Sequence, residues 1–202
     1  MSNAKLGLTI GIEGPPPALR LVPASAAIAQ LRSQLGDAAQ GSPIGIHISA
    51  RKISQRWPVD RFAALLRALR KTGQRQFLLF WSPGAAGNPL HPGDDDAAQR
   101  LLAELGDFPL APVRTENLET LIAGLALCDK LICSDGGAMH LAAALGKPIV
   151  CLFGDSDAAR WRPWGVPYEL LQKDSREVTD IGVDEVADAL SRLQSRIEAT
   201  EN

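Results

Sequence analysis

The chain has 202 residues, 22% of them charged, with 21 Lys and Arg against 23 Asp and Glu and a formal net charge of −2. That balance excludes a polyanion binder working by bulk charge, and nucleic acid is not an expected partner. Hydrophobic residues make up 46% and no apolar run approaches the ~20 residues of a membrane span, which excludes wholesale disorder and a spanning helix; at roughly 150 residues per domain the length suits one domain with ragged ends.

Met1-Ser2-Asn3-Ala4 lacks the charged flank and apolar core of a signal peptide and reads as an expression scar. Residues 5–43 are broken by Gly7, Gly11, Gly14 and Pro15-Pro16-Pro17, and only 25–35 carries a short helical pattern. The stretch 1–43 therefore reads as scar, connector and short helix, and the regular domain as 44–202.

From Ile44 onward strands and helices alternate. The apolar run 44–48 is followed by a basic loop and a helix over 59–72, where Phe62, Leu65, Leu66 and Leu69 repeat at i, i+3, i+4, i+7. The unit recurs as strand 77–81 with helix 94–105, strand 110–113 with a helix carrying Leu118, Leu121, Ile122 and Leu125, and strand 131–133 with helix 137–145. A strand at 148–153, a Trp-rich loop, a short strand at 168–171 and a terminal helix striped by Val183, Val186, Leu190, Leu193 and Ile197 complete the pattern. Such alternation predicts an α/β fold, a Rossmann-like parallel sheet with helices on both faces. Cys128, Cys133 and Cys151 sit in apolar text without metal-ligand spacing and read as buried hydrophobes of a reducing, cytoplasmic compartment.

Ligands of such sheets bind outside the carboxyl ends of the strands, which directs attention to the loops at 49–58, 82–96, 114–117, 134–140 and 154–165. Ser134-Asp135-Gly136-Gly137-Ala138-Met139-His140 joins a buried strand to a helix. Paired glycines at a helix start let a phosphate approach free N–H groups, His140 is placed to add a donor, and Asp135, repelled by phosphate, suits a sugar hydroxyl. Read structurally, Asp135 is an N-cap, the glycines form the turn and His140 packs. The segment is neither a Walker loop, since Pro148 follows Gly146-Lys147, nor a GxGxxG.

The loop 49–58 carries Ser49, Arg51, Lys52 and Arg56, well placed for an anionic ligand. From 51 to 75 eight basic residues face one acid, Asp60; Arg61, Arg67, Arg70, Lys71 and Arg75 read as a solvated helix face. Asp94, Asp95 and Asp96 open a helix, where acids favour the dipole, although their spacing would also serve a metal or ligand hydroxyls. His91 has no partner pattern for zinc, and no Ser or Cys stands in an elbow context. Trp161 and Trp164, with Arg160 and Arg162, form a loop long enough to stack on a base, or else plug the sheet edge.

IGIHISARKISQRWPVDRFAALL (44–66) and SDGGAMHLAAALGKPIVCLFGDSD (134–157) resemble the C-terminal, donor-binding domain of glycosyltransferase family 9, the heptosyltransferases of lipopolysaccharide core synthesis. The resemblance runs from about Ile44 to the end. It implies half of a two-domain GT-B architecture and inverting transfer without metal or other cofactor. The donor is a nucleoside-diphosphate sugar, ADP-linked in the heptosyltransferases, and the acceptor a lipopolysaccharide core or similar glycan. Asp135, Gly136, Gly137 and His140 match the family's Asp-Thr/Ser-Gly-x-x-His segment around the donor diphosphate and sugar. The loop before Trp57 matches the phosphate-contacting segment, and the ribose-contacting acid falls near Asp94, Asp95 and Asp96. Two positions depart: Gln55 stands where the family commonly has Lys, and Gly136 where it has a hydroxyl residue.

The acceptor site and catalytic base of the family lie in an N-terminal domain that the lead-in does not match, so the chain is expected to be a fragment inactive alone. The full-length enzyme is expected in the cytoplasm, at the inner face of the inner membrane. Two rivals from the residues themselves are a non-enzymatic Rossmann-like interaction module, expected to expose an apolar patch around Trp161 and Trp164, and a sugar-nucleotide epimerase, expected to place further carboxylates at the sugar.

Overall fold

The computed structural model describes residues 11, 14, 16–74, 76–88 and 92–201; residues 1–4, Gly7, Pro15, Arg75 and His91, named above, lie outside the described residues. In chain order the elements are α1 (Ser25–Leu35), β1 (Ile44–His47), α2 (Val59–Lys71), β2 (Phe77–Trp81), α3 (Asp95–Leu105), β3 (Leu110–Arg114), α4 (Leu118–Leu127), β4 (Lys130–Ser134), α5 (Gly137–Ala144), β5 (Ile149–Phe153), α6 (Ala158–Trp161), β6 (Tyr168–Gln172) and α7 (Val183–Glu201). The elements expected from periodicity are present, with ends displaced by a residue or so where caps and turns decide the boundary.

The strands form one six-stranded sheet of order β3-β2-β1-β4-β5-β6. Every pair is parallel, Ile44 lying opposite Phe77 on one side and Lys130 on the other. The order reverses between β1 and β4. At that point the outgoing loops diverge to opposite faces and leave a crevice at the carboxyl edge, the usual ligand position of an open α/β sheet.

Both faces are covered, which is why β2 and β5 are apolar at every position and fully buried. On one face Phe77, Leu79, Trp81, Val150 and Leu152 pack with Phe62, Leu65 and Leu66 of α2, Leu101 of α3 and Leu190 and Leu193 of α7. On the other, Leu78, Phe80, Cys133, Cys151 and Phe153 pack with Leu125 of α4, Met139 of α5 and Leu31 of α1. Cys133 and Cys151 are register partners on adjacent strands, and all three thiols are free and buried; burial pushes each well above its ordinary pKa.

Within 1–43, the short helix expected over 25–35 is present as α1 and packs into the core. Leu31 is buried, with Ala27, Ile28 and Leu35 packed beside it against the same core as α4. The helix is an integral part of that face of the sandwich. The chain ahead of it is tied down too: Leu21 N–H donates to the Ala144 carbonyl (2.8 Å), and Trp164 Nε1 donates to the Pro17 carbonyl (3.0 Å).

Candidate functional site

A cleft of about 660 Å³ opens at the carboxyl edge of the sheet, over the reversal point. Four successive strands feed it: Ser82 follows β2, Ser49 and Lys52 follow β1, Asp135 and Gly136 follow β4, and Ser156 and Trp161 follow β5.

The β4 lip behaves as a helix start. Gly136 is the N-cap of α5 and makes no side-chain capping bond, so Asp135 is not the cap. A Cβ placed on Gly136 or Gly137 would meet nothing within 4 Å, so the backbone at the start of α5 is uncovered on that side, and both residues line the cleft. The Asp135 N–H donates to the Leu152 carbonyl (3.0 Å), fixing the backbone, while its carboxylate accepts from Gln55 Nε2 (3.1 Å). Gln55 also donates to Ser156 Oγ (2.6 Å) and is only 5% exposed. One amide thus joins the loops after β1, β4 and β5 beneath the cleft.

The basic loop divides into two kinds of cation. Lys52 and Arg51 are exposed and line the cleft. Lys52 Nζ lies 3.3 Å from Asp155 on the β5 side, with both side chains about half exposed, so the pair is weak and exchangeable. Arg51 forms no ion pair with a described residue.

Arg56, expected at the ligand, is committed to the fold. Its Nη1 lies 2.7 Å from the buried Asp94, its Nε donates to the Ala50 carbonyl (2.9 Å) and its Nη2 to the Pro92 carbonyl (3.3 Å). Burial raises the Asp94 carboxyl above its usual range, while the Ser49 hydroxyl and Arg56 act the other way. Ser49 Oγ also accepts the Ser82 N–H (2.7 Å), tying the β1 and β2 loops together behind its place in the cleft wall.

The acidic triplet opens α3, with Asp95 and Asp96 in its first turn. Asp94 is sequestered with Arg56. Asp95 accepts from Trp81 Nε1 (2.8 Å) and Gly84 N–H (3.0 Å) and pairs with Arg114 (3.2 Å), an arrangement that closes the loop after β2. The Trp81 bond above all holds its carboxyl below the usual range. Asp96 is exposed on α3, and no residue of the triplet is among those lining the cleft.

His140, on the first turn of α5, is half-buried with its ring edge-on to Trp161 at 6.3 Å between centroids; it stands behind Trp161 and is not part of the cleft wall. Trp161 is 46% exposed and does form wall, with the Arg160 guanidinium 5.1 Å from its ring centre. Trp164 is held elsewhere, under Arg162 and on Pro17. Among the described residues no three His, Cys, Asp or Glu side chains are grouped as a metal site.

A sequence model of glycosyltransferase family 9 (heptosyltransferase) matches residues 10–185. The chain belongs to glycosyltransferase family 9. The match takes in both motif stretches and begins ahead of α1, in keeping with the packing of that helix. The lipopolysaccharide heptosyltransferase 2 of Salmonella typhimurium is 33% identical over 107 residues, which is 51% of this chain and 28% of that enzyme. Two solved structures share the fold. The Escherichia coli ADP-heptose lipopolysaccharide heptosyltransferase II superimposes with a TM-score of 0.75 at 24% identity, over 92% of this chain and 56% of that one. The E. coli heptosyltransferase WaaC, solved with ADP, gives 0.68 at 20%, over 93% and 53%. The chain thus spans about half the length of these solved family members.

Two wall residues escaped the reading of the motifs. His47 ends β1 beneath the cleft; burial lowers its pKa to about 4, opposed by a backbone hydrogen bond at Ser49, so the imidazole is neutral at ordinary pH. Its place at the last position of a strand was the available signal. Ser156 was hidden because its role depends on Gln55, 101 residues away in sequence.

Proposed function

We propose that this chain is the donor-binding half of an inverting glycosyltransferase. The transferred group would be a heptose or related sugar, moved from a nucleoside-diphosphate sugar to a lipopolysaccharide core or similar glycan. The observation that carries this reading is the pair of lips at the sheet reversal: the uncovered Gly136-Gly137 backbone at the start of α5 on one side, Arg51 and Lys52 on the other. Backbone dipoles and two mobile cations facing one crevice suit the charge that a diphosphate leaving group develops, a task they perform without a metal or other cofactor. Asp135, steadied by Gln55, accepts hydrogen bonds from sugar hydroxyls.

Of the relatives named above, one E. coli structure is of an ADP-heptose heptosyltransferase and the other was solved with ADP, which makes ADP the first nucleotide to try. The acceptor site and the general base would come from the remainder of the enzyme, and transfer by these 202 residues alone is not expected. No described helix is long and apolar enough to cross a membrane; a cytoplasmic enzyme working at the inner face of the inner membrane fits a lipid-linked acceptor. Calorimetry with ADP, UDP and GDP is expected to show one nucleotide preferred, and Asp135→Ala is expected to weaken its sugar-linked form about tenfold while sparing the nucleotide itself. Absence of binding by all three would overturn the assignment.

A further inference from the structure

The cleft is asymmetric along the sheet, and its two ends offer different chemistry. Four strand ends at ~4.8 Å spacing give it a run of about 14 Å, enough for an extended ligand anchored near the middle. The middle is the β1–β4 reversal with the Gly136 amide and Lys52. Toward β2 the wall is Ser82 and Pro92; toward β5 it is Asp135, Ser156 and Trp161. The one carboxylate of the wall and the exposed aromatic ring therefore lie together on the β4–β5 side, while Ser49 and Ser82 offer only hydroxyls on the β1–β2 side.

Trp161 is not exposed for want of partners. His140 touches its edge and Arg160 sits over the ring, which orients the indole on the four-residue α6. The indole is 46% exposed and part of the cleft wall, and its contacts with His140 and Arg160 restrict its orientation before a ligand arrives. The π face carries negative charge density and attracts the weakly positive C–H edges of a pyranose, while the neighbouring carboxylate and hydroxyl take the sugar's O–H groups.

We infer that Trp161 is a specificity-determining residue whose indole stacks on the apolar face of the donor's sugar ring, with Asp135 and Ser156 holding that sugar's hydroxyls and the nucleoside lying toward Ser82. The inference rests on the donor-binding reading above. It makes the sugar end of the cleft, and not the base end, the aromatic one.

Intrinsic fluorescence tests it on the whole chain, because Trp57 and Trp81 are buried and Trp164 is bonded to Pro17, leaving Trp161 as the responsive indole. ADP, UDP and GDP are titrated alongside their glucose-linked forms and ADP-heptose. The sugar-linked form of the nucleotide that binds is expected to shift the emission, and the free nucleotide to leave it nearly unchanged. Trp161→Ala is expected to lower the preference for the sugar-linked form about fivefold with the affinity of the free nucleotide retained, and Trp161→Phe to restore most of the preference. An emission change as large with free nucleotide, or an unaltered preference in Trp161→Ala, overturns the inference while leaving nucleotide binding intact. Failure of every nucleotide to bind overturns the donor-binding reading and this one with it.

Discussion

Arg56 and Arg51 are five residues apart in one loop and have opposite fates. Arg56 pairs at 2.7 Å with Asp94, which is 5% exposed, and satisfies two loop carbonyls besides. Removing it leaves a buried carboxylate with no counter-charge, so Arg56→Ala is expected to destabilise the fold by about 3 kcal/mol, read from urea unfolding. Arg51→Ala at the exposed rim should leave the same curve nearly unmoved. The sequence text made the two residues look alike because both are cations in a loop after a strand; the distinction depends on an acid 38 positions later. Asp135 was legible as a polar group at a strand end, since strand–turn–helix geometry puts the first loop residue over the sheet whatever its neighbours are. Gln55 was legible only as a missing charge. Its actual role, an amide spanning three loops, needed the tertiary fold to bring Asp135 and Ser156 within reach.

Elements were more legible than residues. The i, i+3, i+4, i+7 repeat of α2 and the all-apolar β2 and β5 are direct consequences of one-sided and two-sided burial. The role of α1 was not legible, because its flanking glycines and prolines mark the chain entering the fold and its apolar residues are few; its place in the core is decided by α4. That helix shows how closely the layers approach. A Cβ on Gly124 would lie 2.4 Å from Phe80 Cε1, and one on Gly45 would lie 2.9 Å from Cys128 Sγ. Gly124→Ala improves helix propensity by nearly 1 kcal/mol yet forces the Phe80 ring against its own sheet, and a net loss of about 2 kcal/mol is expected in thermal or urea melts. A gain in stability would mean that β2 yields more easily than its full burial implies.

At the scale of the whole molecule, two apolar layers share one sheet and neither is complete without the other. Leu31 belongs to one layer, Trp57 and Trp81 to the opposite one. Leu31→Ala is expected to move the urea midpoint seen by the tryptophans by the equivalent of about 2 kcal/mol, because a single cooperative unit transmits the loss across the sheet. An unchanged tryptophan transition would show that α1 melts separately, as a tether. The near-zero net charge hides the organisation that matters for function: the cations of the 51–56 loop are divided between the fold and the rim, and the carboxylates of Asp94 and Asp95 serve the loops beside them.

The three free thiols give the molecule an internal clock. Cys133 and Cys151 face each other across the β4–β5 seam, and Cys128 closes the end of α4, all out of reach of solvent. A thiol reagent reaches them only in the moments when the layer of α1, α4 and α5 lifts from that face of the sheet, so the rate of modification times that opening. Anything that binds between the loops after β4 and β5 in the folded state makes such openings rarer and slows that clock, whatever its chemical identity.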